Sequence, residues 1–316
     1  MKISVLGDLI LDKYIHGAVN RVSPEAPVPI LDVEGGSYSL GGAGNVCKNI
    51  KFLDSSVEVA IIGVLGSDED GQTVYEELSK LDIDTSGIIF EDSPTTTKTR
   101  LVDGSTQIAR IDNQISDVRD YFEFEIQNDT DVLVISDYDL GVVGPSYFKK
   151  QEEITESYKT IVDPKFRNFW KYSGVYCLKP NKKELWNALC CVWGKGSLYF
   201  DDFGPDSETW SLIEEYRKTF NVKNAGKEYN NSILVTEAEQ GMTLVQGTEI
   251  QKITSTAQTV FDVTGAGDTV TSVLAYCTGM GYPLHSAALH ANKAAGISIT
   301  QSGCGYVSSE ELFTDE

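Results

Sequence analysis

Basic side chains are in short supply. Only 26 Lys and Arg stand against 47 Asp and Glu, a net charge of −21 in 316 residues. A field of that sign speaks against a nucleic-acid surface and obliges any anionic substrate to find a local basic pocket. Cysteine is sparse as well: the six, at 47, 177, 190, 191, 277 and 304, show no CxxC or other zinc spacing. Adjacent Cys190 and Cys191 are poorly placed to bridge each other, so buried, reduced thiols are the expectation. No apolar run reaches the roughly 18 residues that a membrane helix needs, and the opening MKISVLGDLILDKY is interrupted by Asp8 and Asp12. A soluble, cytoplasmic chain with no nucleic-acid or membrane partner is expected. Also missing are the phosphate loop GxxxxGK followed by Ser or Thr and the dinucleotide GxGxxG, so a nicotinamide oxidoreductase has no fingerprint here.

What is present is a rhythm. The β-branched runs ISVLGD, EVAIIGVLG and DVLVISDY are followed by helical patterns at Gly42 to Leu53, Gln72 to Leu81 and Pro145 to Tyr158. Strands and helices alternating in this way make an α/β fold, with a mostly parallel central sheet flanked by helices. TIVDP, VYCLKPN and SILVTE extend the sheet, and two helices close the pattern, Ala266 to Gly279 and Pro283 to Thr300. YIHGAVNRVSPEAPVPILDVEGG and TTTKTRLVDGSTQIARID alternate without helices. These segments, about 13–40 and 94–112, are expected to pair as a small β-flap, the kind of lid that keeps water from a reactive phosphate. Trp193 to Asp206, rich in Gly, aromatics and Asp, reads as an irregular surface excursion.

Candidate chemistry concentrates in FDVTGAGDTV, Phe261 to Val270. Gly265, Ala266 and Gly267 are small enough for a ligand to approach backbone at a helix start, where unpaired N–H groups attract phosphate. Asp268 serves there either as an ordinary first-turn charge or as a reacting group. In GDLILD, Asp12 is expected at the carboxyl edge of the sheet, where open α/β folds bind ligands, or else as a solvated turn residue. GGAGNVCKN opens a helix with Gly41, Gly42 and Gly44 and projects Asn45 from the first turn; no strand is expected to lead directly into it. Lys98 and Arg100 share a strand face and Arg110 lies on the expected hairpin partner, so three cations can converge, unless they simply mark a solvated face. LKPNKKEL places Lys179 and Asn181 at a strand end and Glu184 three residues on. Asn181 and Glu184 are hard oxygen donors for hydrated Mg²⁺ or, equally, an N-cap with a capping box.

Together, DVTGAGDT, GGAGN and NKKE resemble in type and order the ribokinase-like (PfkB) family of carbohydrate kinases, and the likeness runs over nearly the whole chain. RVSPEAPVPIL, TKTRLV, IARID, SDY, VDPK and VTEAEQGM are similar, more narrowly, to members that phosphorylate D-glycero-D-manno-heptose 7-phosphate at its anomeric oxygen. The resemblance implies a single ribokinase-like domain over 1–316, with ATP as co-substrate, Mg²⁺, and a place for a monovalent cation such as K⁺. It implies Asp268 as general base and the Gly265, Ala266, Gly267 turn as an anion hole, with the helix start keeping Asp268 ionised at neutral pH. Asp12, Gly41, Gly42, Asn45 and Asp137 would hold the sugar, and Lys98, Arg100 and Arg110 its distal phosphate. Lys165, Lys179, Asn181, Glu184, Thr236, Gly241 and Asn292 would surround ATP, with Glu184, Asp262 and Thr264 near cations. Departures from the family pattern are Gly44 and Cys47 where Ala is usual, Ser272 for Gly, Lys293 within a run of alanines, and a poor match from Leu185 to Ser232. With no HxGH motif, nucleotidyl transfer is not expected; a homodimer through the lid is, because exposed strands need covering. Another sugar or nucleoside kinase of this family, or a non-catalytic sugar- or nucleotide-binding regulator on the same fold, are the other readings.

Overall fold

The computed structural model describes residues 1–114, 123–193, 208–223, 231–257, 261–301 and 305–314. In chain order the strands begin with β1 (Lys2–Gly7), β2 (Leu9–Val22), β3 (Pro29–Gly42), β4 (Glu58–Gly66), β5 (Asp84–Glu91), β6 (Thr97–Asp103) and β7 (Thr106–Asn113). They continue with β8 (Val132–Ser136), β9 (Lys159–Asp163), β10 (Cys177–Leu178), β11 (Ser232–Thr236), β12 (Met242–Gln246) and β13 (Glu249–Ile253). The helices are α1 (Ala43–Leu53), α2 (Glu69–Lys80), α3 (Pro145–Ser157), α4 (Lys182–Trp193), α5 (Thr209–Lys223), α6 (Ala266–Gly279), α7 (Leu284–Ser298) and α8 (Ser309–Phe313).

Nine strands form one sheet in the order β13-β12-β11-β10-β9-β8-β1-β4-β5. It is parallel from β5 across to β11 and antiparallel only at β12 and β13. Period-2 alternation sends successive strand residues to opposite faces. Ile3 and Val5 of β1, with Val132 and Val134 of β8, join the cluster that packs under α1, α6 and α7. Leu6, Leu133 and Ile135 point the other way, into a second cluster with α3, α4 and α5. With both faces covered, the central strands read as continuous apolar runs rather than alternating ones.

The remaining strands form a separate four-stranded sheet, β3-β2-β6-β7, at the expected lid segments. Two points differ from the sequence reading. Asp12 is not at the end of β1: that strand stops at Gly7, and Asp12 lies inside β2, a lid strand. Also, a strand does lead straight into the glycine-rich helix, since β3 runs to Gly42 and α1 starts at Ala43. Gly42 makes that join possible. Its φ of 54° lies in the left-handed region, and a Cβ there would meet the Asp8 carbonyl oxygen at 2.4 Å.

Two helices go beyond the expected set. Helix α5 buries Leu212, Ile213, Tyr216 and Phe220 on one face, and α8 begins with a capping box between Ser308 and Glu311. The thiols divide: Cys47, Cys177 and Cys277 are buried as expected, but Cys190 is half-buried and Cys191 exposed. Cys304 and the stretch 194–206 lie outside the described residues.

Candidate active site

A cavity of about 210 Å³ opens at the carboxyl edge of the main sheet, lined by Tyr138, Asp163, Lys165, Lys179, Asn181, Glu184, Thr236, Gly265, Gly267 and Asp268. Five chain segments meet there. The loops after β8, β9 and β10, the end of β11 and the start of α6 each deliver residues, as parallel strands ending on one edge must.

Helix α6 starts from Gly265, whose φ of 77° is left-handed and which caps the helix without a side-chain bond. The Ala266 N–H turns back to the Val263 carbonyl at 3.3 Å, so it is not the phosphate donor the sequence suggested. The N–H groups of Gly267 and Asp268 have no acceptor among the described residues. Gly267 is exposed, and a Cβ built on it would meet only Lys179 Nζ, at 3.7 Å. This is an open backbone cradle at the positive end of a helix, suited to an anion.

Asp268 is 5% exposed. Asn45 Nδ2 donates to its Oδ2 at 2.7 Å, and the Tyr138 hydroxyl donates to its Oδ1 at 2.9 Å. Burial pushes its carboxyl up to about 6; Asn45 opposes that rise, nearby Asp163 adds to it, and Tyr138 and Lys179 oppose it. Asp268 is thus still mostly ionised at neutral pH, as expected, but burial lifts its carboxyl well above the usual Asp range. Ser272, the departure from the usual Gly, donates to the Asp268 carbonyl at 2.7 Å and the Val46 carbonyl at 3.0 Å, tying α6 to α1.

On the other wall, Lys179 is 3% exposed and pairs with Asp163 at 3.0 Å. Asp163 also accepts from Thr271 at 3.2 Å. Lys165 pairs with Glu184. Burial works against the Lys165 charge, but Asp163 and Glu184 outweigh it and raise its pKa. Asn181 and Glu184 form the reciprocal capping box, with Asn181 Oδ1 accepting from Glu184 N and Glu184 Oε2 accepting from Asn181 N, both at 2.8 Å. Both Glu184 oxygens are thus engaged, and any Mg²⁺ would be held by this pair through water rather than directly. Among the described residues, no group of three or more His, Cys, Asp or Glu is placed to hold a metal ion.

The lid faces this site through Lys98. Register pairs Asp12 with Lys98 and Tyr14 with Arg100 across β2 and β6, and Arg100 with Arg110 across β6 and β7. Arg100 bonds Asp12 Oδ1 at 2.5 Å, and Arg110 bonds Asp112 at 2.8 Å. Lys98 has no carboxylate within ion-pair distance among the described residues; its Nζ lies 5.0 Å from the Tyr138 ring, and burial lowers its pKa. Gly41 packs on Asp12, where a Cβ would meet Oδ2 at 2.3 Å.

Several sequence candidates lie away from the cavity. Asp137, expected at the sugar, is absorbed by structure: Tyr172 and Asn168 donate to its Oδ2 at 2.6 and 3.1 Å, and burial with neighbouring Asp8 pushes it up to about 7. Gly241 is required by a turn, with φ 93° and the Ile253 carbonyl where a Cβ would go. Asn292 donates to the Thr254 carbonyl at 2.8 Å and, with Gly241, is absent from the cavity lining. Asp262 and Thr264 make a tight turn before α6, Thr264 N donating to Asp262 Oδ1 at 2.9 Å. Sequence reasoning missed Tyr138, Asp163 and Asp8. Asp8 is 1% exposed and accepts from the backbone N–H of Tyr138, Leu140 and Val142 at 2.7, 3.3 and 3.2 Å. Its signal was available: an acid directly after a buried parallel strand.

The family described as pfkB family carbohydrate kinase matches residues 2–189 and 209–311. The bifunctional protein HldE of a Nitratiruptor species is 34% identical over 325 residues, covering 98% of this chain and 64% of its own. The bifunctional protein HldE of Helicobacter pylori is 34% identical over 323 residues, covering 98% and 65%. The chain therefore spans a little under two-thirds of the length of these relatives. Among solved structures, Arabidopsis thaliana ribokinase complexed with ribose and ATP superposes with a TM-score of 0.74 at 16% identity, covering 99% of this chain and 97% of that one.

Proposed function

The chain belongs to the pfkB family of carbohydrate kinases, phosphotransferases that act on a sugar hydroxyl, and on that footing we propose that it transfers the γ-phosphate of ATP to the anomeric hydroxyl of D-glycero-D-manno-heptose 7-phosphate. The observation that carries the reading is the meeting of Asp268 and the open amides of α6 at one cavity, with a lid cation, Lys98, 5.0 Å from the ring of Tyr138 that lines it. The narrower substrate rests on the RVSPEAPVP and TKTRLV stretches and on the cationic lid face; ATP is the nucleotide in the solved ribokinase above.

In this reading the sugar hydroxyl oxygen attacks the γ-phosphorus, the bond to the ADP oxygen breaks, and the hydroxyl proton passes to Asp268. A carboxyl with a pKa of about 6 is well matched to that task, ionised at neutrality yet basic enough to take a proton. The amides of Gly267 and Asp268 stabilise charge on the moving phosphoryl group, and Lys179 and Lys165 add positive charge beside it. Mg²⁺ at Asn181 and Glu184 would supply charge neutralisation of the ATP phosphates. A monovalent cation beside the turn formed by Asp262 and Thr264 belongs to the same proposal. Lys98, Arg100 and Arg110 are assigned to the distal phosphate. Asp12, Gly41, Gly42 and Asn45 are assigned to the sugar hydroxyls, under a lid that shuts out water.

The test is ADP release with heptose 7-phosphate beside ribose, fructose 1-phosphate and nucleosides. A kcat/KM for heptose 7-phosphate well above the rest is expected. Preference for an unphosphorylated sugar would move the assignment elsewhere in the family, and no ADP with any acceptor would favour a binding protein.

A further inference from the structure

We propose that Tyr138 is a positioning residue that fixes the Asp268 carboxylate and couples it to the lid through Lys98. The inference rests on Asp268 being the base. Tyr138 is held from three directions. Its backbone N–H is anchored on buried Asp8 at 2.7 Å, and the loop that follows is wrapped round the same carboxylate by Leu140 and Val142. Its hydroxyl donates to Asp268 Oδ1 at 2.9 Å, while Asn45 takes the other oxygen. Its ring carries two ammonium groups at 5.0 Å, Lys98 from lid strand β6 and Lys165 from the loop after β9.

The chemistry of each contact is one-directional. Burial and the neighbouring Asp268 charge hold the phenol well above the ordinary tyrosine range, so Tyr138 remains a donor throughout the working pH range. Two donors, one on each oxygen, fix both the rotation and the tilt of the Asp268 carboxylate; one alone would leave it free to swing about the bond it kept. The aromatic face attracts Lys98, which has no ion-pair partner among the described residues, so the ring rewards a closed lid. Tyr138 thus stands between the sugar-phosphate side and the nucleotide side and touches the base in the middle. The charged groups around Asp268 are Asp163, Lys165 and Lys179, and none of them supplies a hydrogen bond to its carboxylate.

Tyr138→Phe removes the hydroxyl and keeps the ring. With the best acceptor of the panel, kcat is expected to fall roughly tenfold or more, the effect of losing a hydrogen bond to a charged group. Both KM values should stay within about twofold, since hydroxyl and substrate binding are separate here. The acidic limb of the kcat profile should move to higher pH, because a donor that favours ionised Asp268 is gone. Tyr138→Leu, which also removes the ring, should in addition raise the KM for the sugar phosphate more than that for ATP, since Lys165 keeps its Glu184 partner whereas Lys98 loses the ring. Wild-type kcat with an unmoved acidic limb in Tyr138→Phe overturns the inference, and so does loss of ADP binding measured by calorimetry, which would mark a general structural role. Asp268→Asn assayed alongside separates the two claims. If that variant turns over like wild type, the base assignment fails and this inference with it; if it is dead while Tyr138→Phe is normal, only the role of Tyr138 fails.

Discussion

Asp268 shows a conflict between reactivity and stability. The fold raises its carboxyl from 3.8 to about 6, chiefly by burial. The folded chain therefore holds this proton more tightly than the unfolded one, and the group's contribution to stability declines as pH rises from about 4 through about 6. Two consequences follow for one variant. Asp268→Asn should lose roughly 10²- to 10⁴-fold in kcat. It should also unfold at higher temperature than wild type at pH 8, by up to about 3 kcal/mol of added stability, with the gain shrinking toward pH 5, where Asp268 is already neutral. Thermal melts at the two pH values check the sign. On the proposed mechanism, wild-type kcat should fall as pH drops below about 6, where Asp268 takes up a proton. The residues of this site were unequally legible. Asp268, Asn45 and Lys179 stand in short motifs whose spacing already implies a helix start or strand end; Asp268 and Lys179 line the cavity, and Asn45 reaches it through its bond to Asp268. Tyr138 was invisible because its partner Asp268 lies 130 positions away, and Asp163 because its partners Lys179 and Thr271 come from other elements. Asp137 misled because Tyr172 and Asn168, 35 and 31 positions on, claim its carboxylate.

Among the described elements, the loop from Tyr138 to Val142 hangs three of its backbone N–H groups on one carboxylate, that of Asp8. Asp8→Ala would strip the acceptor from three backbone N–H groups, costing about 3 kcal/mol or more. Hydrogen exchange should then show the Tyr138, Leu140 and Val142 amides unprotected while the β1 amides remain protected. Helix α1 offers the opposite case. A Cβ on Gly44 would find Leu40 and Leu9 atoms at 3.4 to 3.6 Å, ordinary contact distances. Gly44→Ala, the residue usual in this family, should add about 0.4–1 kcal/mol by reducing the freedom of the unfolded chain. A denaturant midpoint shifted upward with unchanged slope is the expected readout. Element boundaries were legible wherever apolar periodicity ran long, as in α6, whose limits fall where the pattern put them. Strand β10 shrinks to Cys177–Leu178 because the chain leaves the sheet for the Asn181 cap almost at once. Helix α5 carries a readable stripe in Leu212, Ile213, Tyr216 and Phe220, but stretches with no clear period flank it and hide its ends.

For the molecule as a whole, a net charge of −21 makes the lid's cations matter beyond their number. Arg100 and Arg110 already face Asp12 and Asp112, leaving Lys98 as the cation with no ion-pair partner on that face among the described residues. Joint replacement of Lys98 and Arg100 by Ala should raise the KM for the sugar phosphate at least tenfold, the scale of a lost charged hydrogen bond, and leave that for ATP within about twofold. Steady-state kinetics with each substrate varied in turn checks this; equal rises would place the phosphate elsewhere. The division into a covered parallel sheet and a four-stranded lid was legible because the two kinds of strand differ in pattern, continuous apolar runs against alternation. How the lid reaches the core was not, because no local signal marks β3 passing into α1. That passage has a mechanical result. No linker separates ribbon from rod, so any tilt of β3 has to be taken up at Gly42, beside the turn that carries Asn45, the donor to Asp268 Oδ2.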